Sequence, residues 1–189
     1  MGSPFPRAPS PTFTGGKMSD LHRSVDGCAG VSQMTQDEFD GLLSYIPASG
    51  KTWLLEVGTY EGATAAQISD LRPLCNILSV DVFLYPTWGS YKKNKRPGMS
   101  LFWGDTRELS LHVPDKSYHV VFIDGSHQYE PVKRDLEICG GMVFPGGSLL
   151  LHDYHPTRYP GVVQAAQEYA ADRGMKVHVI AGTLAEIRK

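Results

Sequence analysis

Four acidic side chains recur where predicted strands end, and they are the residues of this chain best placed to bind a ligand. They are Glu56, Asp81, Asp105 and Asp124. In an open α/β sheet, ligands bind beyond the carboxyl ends of the strands, so these acids would face one shared crevice. Asp81 could accept hydrogen bonds from both hydroxyls of a ribose, and Asp105 with Thr106 could meet an adenine edge. One such acid is often only a helix cap, whereas four at successive strand ends indicate a nucleotide-type ligand.

The turn after the first predicted strand contains glycines where a ligand would approach the backbone closely. Residues 54–64 read LLEVGTYEGAT, an apolar run that ends in an acid and leads into a helical pattern. Gly58 permits a tight turn, and Gly62 opens a helix whose first N–H groups are left free for a polar ligand. The spacing Glu-x-Gly-x-x-x-Gly differs from the Gly-x-Gly-x-x-Gly fingerprint of nicotinamide-binding proteins. It therefore disfavours an NAD-linked oxidoreductase.

Alternating strand and helix patterns supply the scaffold for these residues. Strands are predicted at 53–57, 77–82, 100–103, 119–124 and 148–152, and helices at 63–71 and 162–171, after Asp105 and from Pro131. A capping box at 35–38 starts an additional helix before the first strand. Residues 176–180 and 184–187 are predicted as a terminal hairpin around Gly182. The fold class is therefore α/β, a Rossmann-like doubly wound, mostly parallel seven-stranded sheet with a C-terminal antiparallel hairpin.

From Thr52 to its end, the chain resembles the class I S-adenosylmethionine-dependent methyltransferases. Residues 56–64 are similar to the first motif of the cation-dependent catechol-type O-methyltransferases. The resemblance implies that S-adenosylmethionine is the cofactor, with Thr64 meeting its carboxylate, Asp81 its ribose and Asp105 with Thr106 its adenine. The cofactor-binding set that it implies is Glu56, Gly58, Thr59, Tyr60, Gly62, Thr64, Asp81, Asp105, Thr106 and Asp124.

The second half of the chain resembles the sugar and macrolide O-methyltransferases. The matching stretches are residues 122–136, which begin FIDGSHQYE, and 145–154, which end LHDY. The resemblance implies a divalent ion between Asp124 and Asp153, and a general base at His127. The family often has two adjacent acids after the fifth strand, whereas this chain has His152 before Asp153. Either His152 or water would then complete the metal's ligand shell.

Physical chemistry agrees with this second set of expectations. Mg²⁺ takes oxygen ligands and keeps several waters, so two carboxylates and a substrate hydroxyl suffice. The ion would lower the pKa of that hydroxyl, and His127 could take its proton because an unperturbed imidazole titrates near neutrality. His155 is the alternative base. The competing interpretation is that Asp124 only binds loop N–H groups and that His127 only caps or stacks.

Composition sets looser bounds on the protein. With 189 residues and a net charge of −2, we expect one domain over 18–189 and neither a nucleic acid nor a membrane partner. Residues 1–17 are rich in Pro, Gly and Ser and are expected to be a disordered or vector-derived tail. Cys28, Cys75 and Cys139 form no metal motif and indicate reduced thiols in a cytoplasmic protein. A homo-oligomer formed through the N-terminal arm is a further hypothesis.

The function that we predict is methyl transfer from S-adenosylmethionine to a hydroxyl of a small molecule, assisted by Mg²⁺ or another divalent cation. The acceptor would be a sugar, a natural product or a catechol-like compound. A non-catalytic cofactor-binding module of the same fold stays open, because His152 replaces the second acid. The basic run at 92–96 is interpreted as a solvated surface, with a phosphate or planar group of the acceptor as the alternative partner.

Overall fold

A mixed sheet of seven strands forms the centre of the protein. The computed structural model describes residues 33–82, 88–113, 115 and 117–188. The strands are β1 (Thr52–Val57), β2 (Cys75–Asp81), β3 (Met99–Trp103), β4 (Tyr118–Ile123), β5 (Val143–Leu151), β6 (Lys176–Ala181) and β7 (Leu184–Arg188). Their order is β3-β2-β1-β4-β5-β7-β6. The first five in this order pair in parallel, and β7 runs antiparallel to both β5 and β6. The predicted fold class is confirmed.

Helices cover both faces of the sheet. They are α1 (Gln36–Leu43), α2 (Ala63–Leu71), α3 (Trp88–Asn94), α4 (Thr106–Leu109), α5 (Tyr129–Gly141) and α6 (Pro160–Asp172). Leu55 and Val57 of β1 join the apolar core beneath α5 and α6. Leu54, the residue before Leu55, points to the opposite face and joins a second core with α1 and α2. Successive strand residues point to opposite faces, so a strand that is apolar throughout is buried on both sides, as a doubly wound sheet requires.

The predicted capping box starts α1. The Thr35 hydroxyl accepts a hydrogen bond from the N–H of Glu38 at 3.3 Å, and the Glu38 carboxylate accepts one from the N–H of Thr35 at 2.8 Å. This reciprocal pair satisfies two N–H groups that the first turn of a helix leaves open.

Most predicted boundaries agree with the structure to within two residues, and two predictions differ by more. The connection predicted at 83–98 contains α3, because Tyr91 is buried under the β1–α2 turn and anchors this short helix within a basic run. Strand β5 begins at Val143 rather than at Ser148. Tyr118 pairs with Val143 and Val120 with Ser148, so the Pro-Gly-Gly predicted as a turn forms an irregularity inside the strand.

Other expectations concern the thiols and the N-terminal region. Cys75 and Cys139 are buried free thiols, as expected. Cys28, the tail at 1–17 and the segment 20–32 lie outside the described residues. None of the helices in the described part of the chain is both long enough and apolar enough to span a bilayer.

Candidate active site

The strand-end acids lie along one edge of the sheet, as predicted. Strands β3, β2, β1 and β4 are neighbours in that order and run parallel. Asp81 is the last residue of β2, Asp105 follows β3 and Asp124 follows β4. The carboxyl ends of these strands therefore bring Asp81, Asp105 and Asp124 to a common crevice beside the β1–α2 turn.

The glycine turn after β1 packs directly on the segment after β4. The N–H of Gly58 donates to the carbonyl of Val80 at 2.8 Å, and the N–H of Asp124 donates to the carbonyl of Val57 at 2.8 Å. Gly58 has a φ of 89°, and a Cβ there would collide with the backbone of Asp124 and Gly125. Only glycine permits both the left-handed conformation and this close approach. The predicted cofactor turn and the predicted catalytic segment are thus in contact.

Tyr60 fixes the carboxylate of Asp81 at the mouth of the turn. The N–H of Tyr60 donates to Oδ2 of Asp81 at 2.7 Å. Tyr60 has a φ of 48° and Asp153 a φ of 58°, and they are the non-glycine residues with positive φ in the described part of the chain. Residues in this region carry backbone strain and cluster at functional sites. Both belong to the site predicted from the sequence.

Glu56 lies beneath the turn rather than at its surface. Its side chain is buried, and Oε2 accepts a hydrogen bond from the Ser79 hydroxyl at 2.7 Å. Burial raises the pKa of Glu56 to about 7, although the hydrogen bond from the Ser79 hydroxyl opposes the increase. The nearby charges of Asp124 and Asp81 add to it. Its predicted contact with the cofactor stays a prediction.

The other predicted residues of the turn occupy its two sides. Thr59 is buried, Thr64 is half-buried in the first turn of α2, and Gly62 caps that helix in the left-handed conformation. A Cβ on Gly62 would stand 2.8 Å from the ring of Tyr91, so the turn also rests on α3.

Asp105 and Thr106 are already engaged within the protein. Asp105 caps α4 through the N–H of Arg107 at 2.8 Å and pairs with its guanidinium at 2.9 Å. The hydrogen bond from Arg107 holds the pKa of Asp105 below its usual range. The Thr106 hydroxyl donates to Oδ1 of Asp135 at 2.7 Å. The helix-cap interpretation of Asp105 therefore applies, and the adenine contact predicted for both residues stays a prediction.

Two exposed apolar side chains that were not predicted as site residues lie beside these acids. Val82 follows Asp81 and is 59% exposed, and Trp103 ends β3 and is 62% exposed. Large exposed apolar groups at strand ends suit the face of a planar ligand. The sequence contained a signal for this exposure. Both residues are the last of a predicted strand, a position that no helix covers.

Two carboxylates and two imidazoles meet after β4 and β5. Nδ1 of His152 is 3.0 Å from Oδ1 of Asp124 and 3.6 Å from Oδ2 of Asp153. Nε2 of His127 is 2.7 Å from Oδ2 of Asp153, and its ring packs against that of Tyr159, with centroids 4.2 Å apart and planes tilted by 31°. The structure thus brings together the three predicted metal ligands and His127, the first of the two predicted bases. We call Asp124, His127, His152 and Asp153 the acid–imidazole cluster.

His152 is buried and is surrounded by carboxylates. Its Nε2 lies 3.4 Å from Oε2 of Glu38, on the side opposite the two aspartates. Burial lowers the pKa of His152, but Asp124, Asp153 and Glu38 outweigh it and raise the pKa to about 12. Burial also raises the pKa of Asp153, yet the two histidines hold it below its usual range. By its local sequence Glu38 is only a helix-cap residue, because nothing nearby in the sequence connects it with His152.

The donor set of the cluster fits a divalent cation. Ligand atoms of Asp124, His152 and Asp153 all lie within 4.8 Å of one another. Two carboxylates and one imidazole leave coordination positions for water or a substrate oxygen, which is the arrangement of catalytic rather than structural metal sites.

The structure also separates the two candidate bases. The imidazole of His127 contacts Asp153 and is 46% exposed, so it can meet both the cluster and an incoming molecule. Nδ1 of His155 instead accepts a hydrogen bond from the N–H of Arg158 at 3.2 Å, within its own turn. His127 is therefore the better placed of the two.

Comparison with known proteins gives one family and several structural relatives. A family model described as a methyltransferase domain matches residues 55–154. An uncharacterized protein of Acanthamoeba polyphaga mimivirus is 23% identical over 130 residues, covering 62% of this chain and 59% of that protein. The match thus spans under two thirds of the viral protein.

Two solved structures share the fold. CalS11, a TDP-rhamnose 3'-O-methyltransferase of calicheamicin biosynthesis, has a TM-score of 0.58 at 19% identity, covering 79% of this chain and 76% of that one. MycE, a methyltransferase of mycinamycin biosynthesis solved with Mg, SAH and mycinamycin VI, has a TM-score of 0.60 at 16% identity. The second match covers 82% of this chain and 48% of that one.

Proposed function

The chain belongs to the methyltransferase domain family, and from that premise we propose that it transfers a methyl group from S-adenosylmethionine to a hydroxyl of a small molecule. The observation that carries the choice of a hydroxyl is the His127–Asp153 pair, with 2.7 Å between Nε2 and Oδ2. A hydroxyl must lose its proton as its oxygen attacks the methyl carbon, and an imidazole oriented by a carboxylate can accept that proton. CalS11, which shares the fold, also modifies an oxygen.

The cofactor would lie across the β1–α2 turn. Asp81, already fixed by the N–H of Tyr60, would accept hydrogen bonds from the ribose hydroxyls. The N–H groups at the start of α2 and the hydroxyl of Thr64 would meet the methionine carboxylate, because a helix N-terminus attracts negative charge. Val82 and Trp103 would cover the adenine. The methyl group would then face the acid–imidazole cluster, since the turn packs directly on the segment after β4.

Methyl transfer needs one bond made and one broken in line. The acceptor oxygen attacks the methyl carbon, the bond from carbon to sulfur breaks, and S-adenosylhomocysteine leaves. Because Nε2 of His127 is held by Asp153, the acceptor's proton goes to Nδ1. Asp153 stabilises the imidazolium that forms, and the ring of Tyr159 fixes its plane. Positioning of the two reactants supplies much of the remaining acceleration.

A divalent cation is part of the proposal. Asp124, Asp153 and His152 would hold it, and when bound it would lower the pKa of the acceptor hydroxyl. The donor atoms lie within 4.8 Å of one another, and MycE, which shares the fold, was solved with Mg. Both observations support the assignment.

The acceptor class and the domain boundaries are also proposals. A net charge of −2 gives no reason to expect a polyanion or a membrane surface, so a sugar, catechol or natural product is the proposed acceptor. We place the catalytic domain at 18–189.

Release of S-adenosylhomocysteine with a panel of sugars, catechols and phenolic natural products tests this function. With the acceptor found, we expect His127→Asn to lower kcat by about 10²- to 10⁴-fold, the usual contribution of a general base. S-adenosylhomocysteine affinity should stay unchanged. His155→Asn is the matched control and should retain near-native turnover. A loss confined to the His155 variant would contradict the assignment of His127.

A further inference from the structure

Glu38 is a buried carboxylate fixed far more firmly than a helix cap requires. Oε2 accepts hydrogen bonds from the N–H and hydroxyl of Thr35 at 2.8 and 2.9 Å. Oε1 accepts hydrogen bonds from the N–H and hydroxyl of Thr183, in the β6–β7 turn, at 2.6 and 2.8 Å. Its side chain is 5% exposed. These four hydrogen bonds leave the carboxylate without an opposite charge, and a buried charge is stabilised further by a cationic partner.

That partner is His152. Nε2 of the imidazole lies 3.4 Å from Oε2 of Glu38, while Nδ1 faces Asp124 at 3.0 Å and Asp153 at 3.6 Å. The ring therefore stands between a fixed carboxylate on one side and the candidate metal ligands on the other. Histidines that bind metals usually donate their second ring N–H to a carboxylate, which sets the orientation and basicity of the ligating nitrogen. Oε2 of Glu38 is the carboxylate oxygen that faces Nε2 of His152, at 3.4 Å, and the buried Nε2 has no other hydrogen-bond partner among the residues that the structure describes.

We propose that Nδ1 of His152 is a metal ligand, that Glu38 is its positioning residue, and that the site selects imidazole-binding cations such as Co²⁺ and Zn²⁺ over Mg²⁺. The proposal rests on the proposed function, because it concerns the same cluster. Mg²⁺ takes oxygen ligands almost exclusively, whereas imidazole suits Zn²⁺ and neighbouring transition metals. One nitrogen among three donors therefore shifts the preference away from Mg²⁺. Glu38 extends the site to α1 and to the β6–β7 turn.

Replacement of His152 by an aspartate, which supplies the second adjacent acid, tests the metal selectivity. Calorimetric titration of the full chain with Co²⁺, Zn²⁺ and Mg²⁺, after removal of bound metal with a chelator, gives the three affinities. Transition metals bind most sites more tightly than Mg²⁺, so the informative quantity is the ratio of the Co²⁺ and Mg²⁺ dissociation constants in each variant. We expect His152→Asp to strengthen Mg²⁺ binding and weaken Co²⁺ binding, and so to reduce the preference for Co²⁺ relative to wild type. Visible absorption of bound Co²⁺ should also change, because the spectrum reports its ligands.

The positioning role of Glu38 has a separate test. Glu38→Gln keeps the shape of the side chain and should lower Co²⁺ affinity by about 10- to 100-fold, the usual effect of losing an outer-shell partner. Thr35→Ala is the control for the helix cap. It removes the cap hydroxyl but keeps the Glu38 carboxylate, so it should lower the melting temperature while Co²⁺ affinity stays near that of wild type.

Binding of S-adenosylhomocysteine in the same samples separates this proposal from the proposed function. Cofactor binding without any Co²⁺ or Zn²⁺ binding would overturn the metal proposal and leave methyl transfer intact. An unchanged Co²⁺ to Mg²⁺ ratio in His152→Asp, or equal losses in Glu38→Gln and Thr35→Ala, would also overturn it. Metal binding without cofactor binding would count against the proposed function alone.

Discussion

Glu56 and Asp105 are both strand-end acids, but they lie in very different environments in the folded protein. Asp105 keeps its charge beside the Arg107 guanidinium and caps a helix. Glu56 is buried, and its pKa of about 7 means that folding favours its protonated form. The two roles could not be read from position alone, because each depends on partners supplied by other elements. Because Glu56 is buried, we expect the stability of the protein to depend on pH.

We expect Glu56 to make the protein less stable as pH rises. Its pKa moves from 4.5 to about 7 on folding, so the folded state holds the proton up to higher pH than the unfolded state. The stability that protonated Glu56 contributes is lost as the pH rises between these two pKa values. A pKa change of this size corresponds to about 3 kcal/mol of free energy of unfolding. Urea unfolding of wild type and Glu56→Gln at pH 5 and pH 7.5 measures it. The variant should gain stability relative to wild type at the higher pH.

An exposed glutamate on α5 provides the control for this titration. Glu137→Gln should shift the free energy of unfolding by a similar small amount at both pH values, since surface substitutions away from special features are nearly neutral. If Glu56→Gln behaved like Glu137→Gln across the pH range, burial of an ionisable Glu56 would not be a feature of the folded protein.

Among the structural elements, the β1–α2 turn is the one that connects the parts of the site. It joins β2 through Val80, β4 through Asp124 and α3 through Tyr91. Its glycines were recognisable in the sequence because tight turns that bind ligands need them. Its contact with the Asp124 backbone was not recognisable, since that contact arises only once β1 and β4 pair.

Two glycines with the same φ allow the cost of the left-handed conformation to be measured separately from the cost of a steric clash. Gly50 and Gly58 both have a φ of 89°, but a Cβ on Gly50 would meet nothing within 4 Å. Both alanine variants should lose about 1 to 2 kcal/mol for the left-handed conformation. Gly58→Ala should lose a further 1 to 3 kcal/mol or so through overpacking. Chemical unfolding measures the difference, and calorimetry should show weaker S-adenosylhomocysteine binding for Gly58→Ala only. Equal losses would show that the turn does not pack on β4 as described.

Secondary structure was predictable wherever periodicity and caps agreed. The helix at 63–71 and the terminal hairpin match their predictions. Helix α3 was not predicted, because its register depends on one aromatic side chain, Tyr91, buried beneath Gly62. The early start of β5 was missed for a related reason: pairing with Tyr118 recruits Val143 across an irregularity that local sequence marks as a turn.

At the scale of the whole molecule, the site is assembled from segments that are distant in the sequence. Parallel strand order brings Asp81, Asp105 and Asp124 to one edge, which follows from alternating patterns alone. The link from Glu38 to His152 joins α1 to the residue that follows β5. No spacing in the sequence encodes that link, because it is made by tertiary packing of α1 against the β6–β7 turn. The acids at the strand ends were thus predictable from the sequence, whereas the contact from Glu38 to His152 was not.

Calorimetric titration of S-adenosylhomocysteine into wild type and Asp81→Asn tests the central claim, that the cofactor binds across this sheet edge. We expect one site in wild type, and a loss of about 10- to 100-fold in the variant, because hydrogen bonds to a charged group contribute about 1.5 to 3 kcal/mol. Asp70→Asn, on the surface of α2 and paired with Arg96, is the control and should bind like wild type. Absence of binding in folded wild-type protein, or equal affinity in Asp81→Asn, would contradict the account.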